Sequence, residues 1–238
     1  LTIKDKLNMF IQVLSGVAVL FVIILIGALS KLRGIITEDL ITGLSKIVVV
    51  ITLPFLYFYT LATKSSLELI KSTYILPLFA IFFVLISCLI GFVTAGLLKL
   101  KGNKKNTFIY LATFTNCGFL AIPIAFALFG EKAVTQVVIF NIGFNLLYWT
   151  LGVWILQDSN ARKNPLKNLL NSGTVALIAG LLIGIIALKL PKFFLDASKL
   201  IGDITIPLAM IVVGTIVGDW SKIKESSSTF KTTSFSED

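Results

Sequence analysis

The sequence predicts an all-α fold, a polytopic bundle of transmembrane helices, and three observations carry that prediction. Of its 238 residues 56% are hydrophobic and 14% are charged, whereas a soluble domain carries about a quarter charged residues. The apolar residues are gathered into runs long enough for the roughly 20-residue helix that crosses a bilayer. Those runs are continuous, without the short alternating stretches of a membrane β-barrel. In lipid a helix also satisfies its own backbone groups, which an open chain cannot do.

Seven spans follow in order: Leu7–Leu29, Leu40–Leu61, Tyr74–Leu98, Thr107–Phe129, Val134–Leu156, Thr174–Leu190 and Leu200–Val217. The chain begins with Leu1 rather than Met. Its first apolar run is too long for a signal-peptide core and lacks a small-residue cleavage site, so it reads as a true span. The seventh span is the weakest, because Asp203 interrupts it. From Trp220 to Asp238 the chain is rich in Ser, Thr and Lys, has no apolar periodicity and reads as a disordered tail.

The formal net charge of +9 belongs to short loops, where lysines set orientation and meet anionic headgroups. No basic stretch is interleaved with exposed aromatics, which excludes a single-strand nucleic-acid binder. The loops on one side hold twelve Lys and Arg, among them Lys31, Lys104 and Lys105. The other side holds eight, among them Lys64, Lys71 and Lys132. That bias places the N-terminus outside and the tail in the cytoplasm of a multi-pass plasma-membrane protein. The high ratio of Lys to Arg hints at an AT-rich bacterial genome. Cys88 and Cys117 both fall in apolar runs, which argues against a disulfide framework. With no histidine in the chain, His-based metal sites, Ser-His-Asp triads and histidine proton relays are excluded together. No metal and no cofactor is expected.

An internal repeat organises the chain. Leu44-Ser45-Lys46-Ile47-Val48-Val49-Val50-Ile51-Thr52-Leu53-Pro54 aligns with Ala197-Ser198-Lys199-Leu200-Ile201-Gly202-Asp203-Ile204-Thr205-Ile206-Pro207, matching Ser, Lys, Ile, Thr and Pro at an offset of 153. The same offset places Gly27 on Gly180. Spans six and seven therefore restart spans one and two. Five spans separate equivalent elements, an odd number, so the second copy crosses the membrane in the opposite sense. Inverted repeats of this kind are a signature of secondary transporters. The expected organisation is residues 1–157 as a first five-helix repeat, 158–172 as an inter-repeat loop, 173–218 as the first two helices of the second repeat, and 219–238 as the tail. A complete second copy would need three more spans. A chain without them is expected not to carry substrate alone, or to do so as a homo-oligomer.

The fourth span contains Thr113-Phe114-Thr115-Asn116-Cys117-Gly118-Phe119-Leu120-Ala121-Ile122-Pro123. Pro123 has no N–H to give the carbonyl of Phe119. Gly118 relaxes the backbone nearby, and Asn116 offers two donors and an acceptor. One reading is a broken helix with exposed backbone groups at the midplane, where transporters bind substrate. The other is an ordinary proline kink, with Asn116 in one interhelical hydrogen bond.

These residues also carry a family resemblance. Asn116 to Pro123, running on through Ala127-Leu128-Phe129-Gly130-Glu131-Lys132-Ala133, resembles the fourth-helix signature of the auxin efflux carrier family. Leu44-Ser45-Lys46 with Leu53-Pro54 and Phe58 resembles that family's second helix, and Ile206-Pro207-Leu208-Ala209 with Gly214 its seventh. The resemblance implies ten spans in two inverted five-helix repeats, with broken helices crossing in spans four and nine. It also implies carriage of organic anions, auxin in plants and malate- or malonate-like carboxylates in bacteria. This sequence departs from that pattern in lacking spans eight to ten.

The candidate substrate-binding residues are Asn116, Gly118, Pro123, Asn141 and Asn145. The last two are one helical turn apart and face the same way, either extending a polar cavity or joining helices. Lys46 and Lys199 read as lysines snorkelling to headgroups, with a substrate role as the alternative. Asp203 is either a proton or cation coupling site or an acid at the interface. The expected partners are a small organic anion, the lipid bilayer and further copies of the chain. An intramembrane enzyme is disfavoured, since no Gly-x-Ser-x-Gly elbow and no pair of intramembrane aspartates is present. A retinal protein or receptor would place a lysine in mid-span seven, and none is there. A channel and a non-transporting short form stand as alternatives.

Overall fold

Helices account for all seven apolar runs, and the interruptions in them have local causes. The structure, a computed structural model, describes residues 3–65, 67–115, 120–157 and 170–219. α1 (Ile3–Leu32) is the first span, and Gly34, with φ of 71°, turns the chain beyond it. α2 (Glu38–Ile47) starts on Thr37, whose hydroxyl accepts from the amide of Leu40. It runs through a π-helical turn, Val48–Thr52, into α3 (Leu53–Lys64). Pro54 explains the wide turn: it brings no amide and its ring crowds the turn before it, so an extra residue relieves the strain.

α4 (Leu67–Thr73) and α5 (Ile75–Leu97) form the third span, and α6 (Gly102–Thr113) and α7 (Ala121–Phe129) the two halves of the fourth. α8 (Glu131–Leu147), a second π turn at Tyr148–Gly152 and α9 (Val153–Leu156) make the fifth. α10 (Ser172–Ile186) is the sixth, and α11 (Lys192–Asp203) with α12 (Thr205–Gly218) the seventh. No strand occurs among the described residues. Leu14–Leu32, Glu38–Lys64, Glu68–Leu97, Glu131–Leu156 and Lys192–Gly218 are each long and apolar enough to cross a membrane.

Most spans extend a few residues beyond the apolar runs, the third beginning at Leu67 and the fourth at Gly102, and two further boundaries have local causes. The seventh span begins at Lys192, not Leu200: Lys199 and Asp203 pair one turn apart at 2.6 Å in the last turn of α11, and the span runs on through α12. The sixth ends at Ile186, not Leu190. Ala187 takes a left-handed conformation, φ 53°, and the amide of Leu188 reaches back to the carbonyl of Ile183, which closes the helix.

The spans pack as two units. In the first, α1 lies along α12, and α3 lies along α10 and α11. In the second, α5 packs on α6 and α8, and α8 on α7. The units meet where α7 touches α1 and where α8 touches α3 and α10. A core of Leu56, Tyr57, Leu61, Ile122, Val134, Val138, Ile139 and Leu177 joins them.

The close contacts of the first unit follow the repeat. A methyl group on Gly27 would overlap the carbonyl of Ile211, and one on Gly180 would lie 2.8 Å from the carbonyl of Phe58. Gly27 and Gly180 are repeat mates at the offset of 153, and so are Phe58 and Ile211. The contact of span one with span seven thus reappears as the contact of span six with span two. A two-fold relation between the copies requires that exchange.

Candidate functional site

The fourth span is divided, and each half is held by a different core. α6 stops at Thr113, and Phe114 is extended, with φ −105° and ψ 104°. The buried Phe114 ring sits in an aromatic cluster: it lies 5.3 Å from Tyr110, 5.9 Å from Phe144 and 5.4 Å from Tyr148, edge-on to the last two. Gly152 admits that ring, since a methyl group there would lie 2.9 Å from it. α7 starts at Ala121, and its first turn buries Ile122 and Pro123. Ile122 packs with Leu56, Leu61 and Val138 in the core that joins the units. Phe114 and Ile122, eight residues apart, are therefore fixed in separate places.

Pro123 does not kink a continuous helix. It is the third residue of α7, a position whose amide has no acceptor within the helix in any case. The amide of Ile124 is the first to bond back, to Leu120. The break read from the sequence is present. Asn116 and Gly118 lie outside the described residues, as does the tail from Trp220.

Asn141 and Asn145 lie on the stripe of α8 that passes this break. Val138, three residues before Asn141, packs in the core that holds Ile122. Tyr148, three residues after Asn145, packs on Phe114. Asn141 is buried and Asn145 half-buried. Each carboxamide donates to the carbonyl four residues back, Asn141 to Val137 at 2.8 Å and Asn145 to Asn141 at 2.9 Å. Their NH2 groups are thus committed in part to their own helix.

The structure brings together a second group that sequence reasoning missed. A crevice of about 510 Å³ opens between α1, α3, the end of α7 and the seventh span. Gly16, Leu20, Ile23, Leu56, Phe126 and Ile206 wall it, and Glu131, Lys199 and Asp203 stand at its rim. A smaller adjoining pocket adds Tyr59, Thr60 and Lys64. Lys64 pairs with Glu131 at 2.5 Å, and Lys199 with Asp203 at 2.6 Å. Asp203 is therefore one half of an exposed ion pair, and Lys199 holds a carboxylate where snorkelling was expected. Lys64 and Glu131 are 67 residues apart, and no local pattern could have joined them. Among the described residues no group of three or more Cys, Asp or Glu could hold a metal ion.

The sequence matches a family described as membrane transport protein over residues 12–167 and 160–235. It is 27% identical over 209 residues to an uncharacterised transporter of Methanocaldococcus jannaschii, covering 83% of this chain and 67% of that protein. A second uncharacterised transporter, from Methanothermobacter thermautotrophicus, is 24% identical over 138 residues, 58% of this chain and 45% of its own. The matched regions thus span about two thirds of the first relative's length and less than half of the second's.

Proposed function

Because this chain belongs to the membrane transport protein family, we propose that it moves a small organic anion across the membrane by alternating access, by itself or as part of a larger carrier. The divided fourth span supports that reading most. Where α6 ends and α7 begins, the amides of Ala121 and Ile122 have no acceptor within the helix. The positive end of the α7 dipole favours an anion there. Such half-helix ends form substrate sites in carriers built from repeats. Apolar surroundings keep the local dielectric low and strengthen each polar contact. Asn116, Gly118 and Pro123 are assigned to the substrate, with Asn141 and Asn145 beside them on α8. The unit holding α5 to α8 then shifts against the unit of α1, α3, α10 and α12 to change the side of access. Asp203, paired with Lys199, is assigned to the rim of the crevice ahead of ion coupling.

The test is direct binding. The purified chain in phosphatidylcholine nanodiscs is titrated with mono- and dicarboxylates and with their neutral amides. Saturable binding of at least one carboxylate, and at least tenfold weaker binding of its amide, is the expected result. Equal affinity for acid and amide would remove the anion from the proposal.

We orient the protein with its N-terminus outside, the tail in the cytoplasm and the crevice facing outward. The crevice residues agree with a common side: Gly16 lies in the first half of span one, Lys64 ends span two, Glu131 opens span five and Lys199 lies near the start of span seven. In intact cells a membrane-impermeant thiol reagent is expected to label Lys71→Cys and not Lys104→Cys. The opposite pattern reverses the topology.

A further inference from the structure

We propose that Glu131 occupies a carboxylate site on Lys64 at the mouth of the crevice, and that an incoming organic carboxylate takes its place. The proposal rests on the reading of the chain as an organic-anion carrier and adds to it a second site, apart from the break in the fourth span. Glu131 Oε2 lies 2.5 Å from Lys64 Nζ, and Lys199, itself paired with Asp203, lines the same pocket. The Lys64–Glu131 pair thus stands beside a second ion pair, Lys199–Asp203. The partners differ in freedom. The Glu131 side chain is 68% exposed, whereas that of Lys64 is 34% exposed and lines the pocket beside Tyr59 and Thr60. When Glu131 swings out it leaves a cation and two hydroxyl-bearing side chains in the wall of the pocket that adjoins the crevice. Exposed pairs of this kind are weak, so an outside carboxylate can compete.

The crevice suits the rest of such a ligand. Its volume, about 510 Å³, falls within the range of small-molecule sites. Below the charged rim its walls are Leu20, Ile23, Leu56, Phe126 and Ile206, which fit an apolar body behind the carboxylate. Phe126 lies five residues from Ala121 at the start of α7, about 8 Å along the helix axis. The crevice therefore runs from the membrane face toward the break. Lys64 belongs to one packing unit and Glu131 to the other, so the exchange also releases a contact between them.

The probe is benzoate, with benzamide as its neutral counterpart, titrated calorimetrically into the full 238-residue chain in phosphatidylcholine nanodiscs, which carry no competing anionic lipid. Glu131→Gln empties the site of its own carboxylate and should tighten benzoate binding up to about fivefold, with no change for benzamide. Adding Lys64→Gln to that variant should remove the gain. Both replacements are close in size, at an exposed Glu131 and a half-buried Lys64, and the melting temperature of each variant checks the fold. Unchanged or weaker binding in Glu131→Gln, a gain that survives in the double variant, or no benzoate binding at all overturns the proposal. Binding that is lost in Asn116→Ala yet indifferent to Glu131→Gln would sink the mouth site and leave the carrier reading intact.

Discussion

Gly27→Ala and Gly180→Ala should each lower the melting temperature of the protein in detergent, whereas Gly43→Ala should leave it unchanged or raise it. The first two glycines lie against backbone: a methyl group on Gly27 overlaps the carbonyl of Ile211, and one on Gly180 meets the carbonyl of Phe58. Backbone atoms cannot rotate away as a side chain can, so the helices must separate and their neighbours lose contact along the seam. Overpacking of this kind costs about 1–3 kcal/mol. Gly43 is also helical, but a methyl group there meets nothing within 4 Å. Alanine at such a site gains up to about 1 kcal/mol of helix propensity. The opposite signs separate a packing role from the general cost of altering a glycine.

The two losses should also be similar in size, because the contacts are copies of one another at the offset of 153. Small residues at helix seams are expected where lipid supplies no hydrophobic drive between helices and close approach must do the holding. Gly214 meets Ile24 and Gly143 meets Pro77 in the same backbone-to-methyl manner, so this device recurs in both units. A large loss at Gly27 with none at Gly180 would show that the second copy is not packed as the first is.

How far the sequence disclosed this architecture depends on the range of each signal. Spans were legible because apolar runs are local, and the break because Gly118 and Pro123 sit close together in one of them. The repeat was legible from Lys46 with Pro54 and Lys199 with Pro207. The pairing of span one with seven and of six with two was not, since it depends on which faces meet across the bundle. Charged side chains misled at one boundary: Lys199 and Asp203 suggested the edge of a span, but as partners one turn apart they lie inside it. Ala187 gave no warning of a helix end, because left-handed backbone there is imposed by closure of the turn and not by a glycine. The crevice was invisible for the reason that Lys64 and Glu131 are distant in sequence, and each alone reads as a loop charge at the end of a span.

The largest functional effect is expected from Asn116→Ala, which should weaken carboxylate binding about 10- to 150-fold while the protein reaches the membrane at normal levels. A hydrogen bond to a charged group is worth about 1.5–3 kcal/mol, which sets that range. Asn116 belongs to the stretch between Thr113, the last residue of α6, and Ala121, the first of α7. In the proposed reading its carboxamide is given to the substrate. Asn141 and Asn145 differ in this respect, since each already donates to the carbonyl four residues back on α8. Their alanine variants should lose less affinity than Asn116→Ala. Pro123→Ala should do less still to binding, because the proline lies in the first turn of α7 and restoring its amide removes no intrahelical bond. Affinity and detergent stability are to be measured side by side on all four variants. Loss of stability with affinity intact in Asn116→Ala would make Asn116 a packing residue and move the substrate elsewhere.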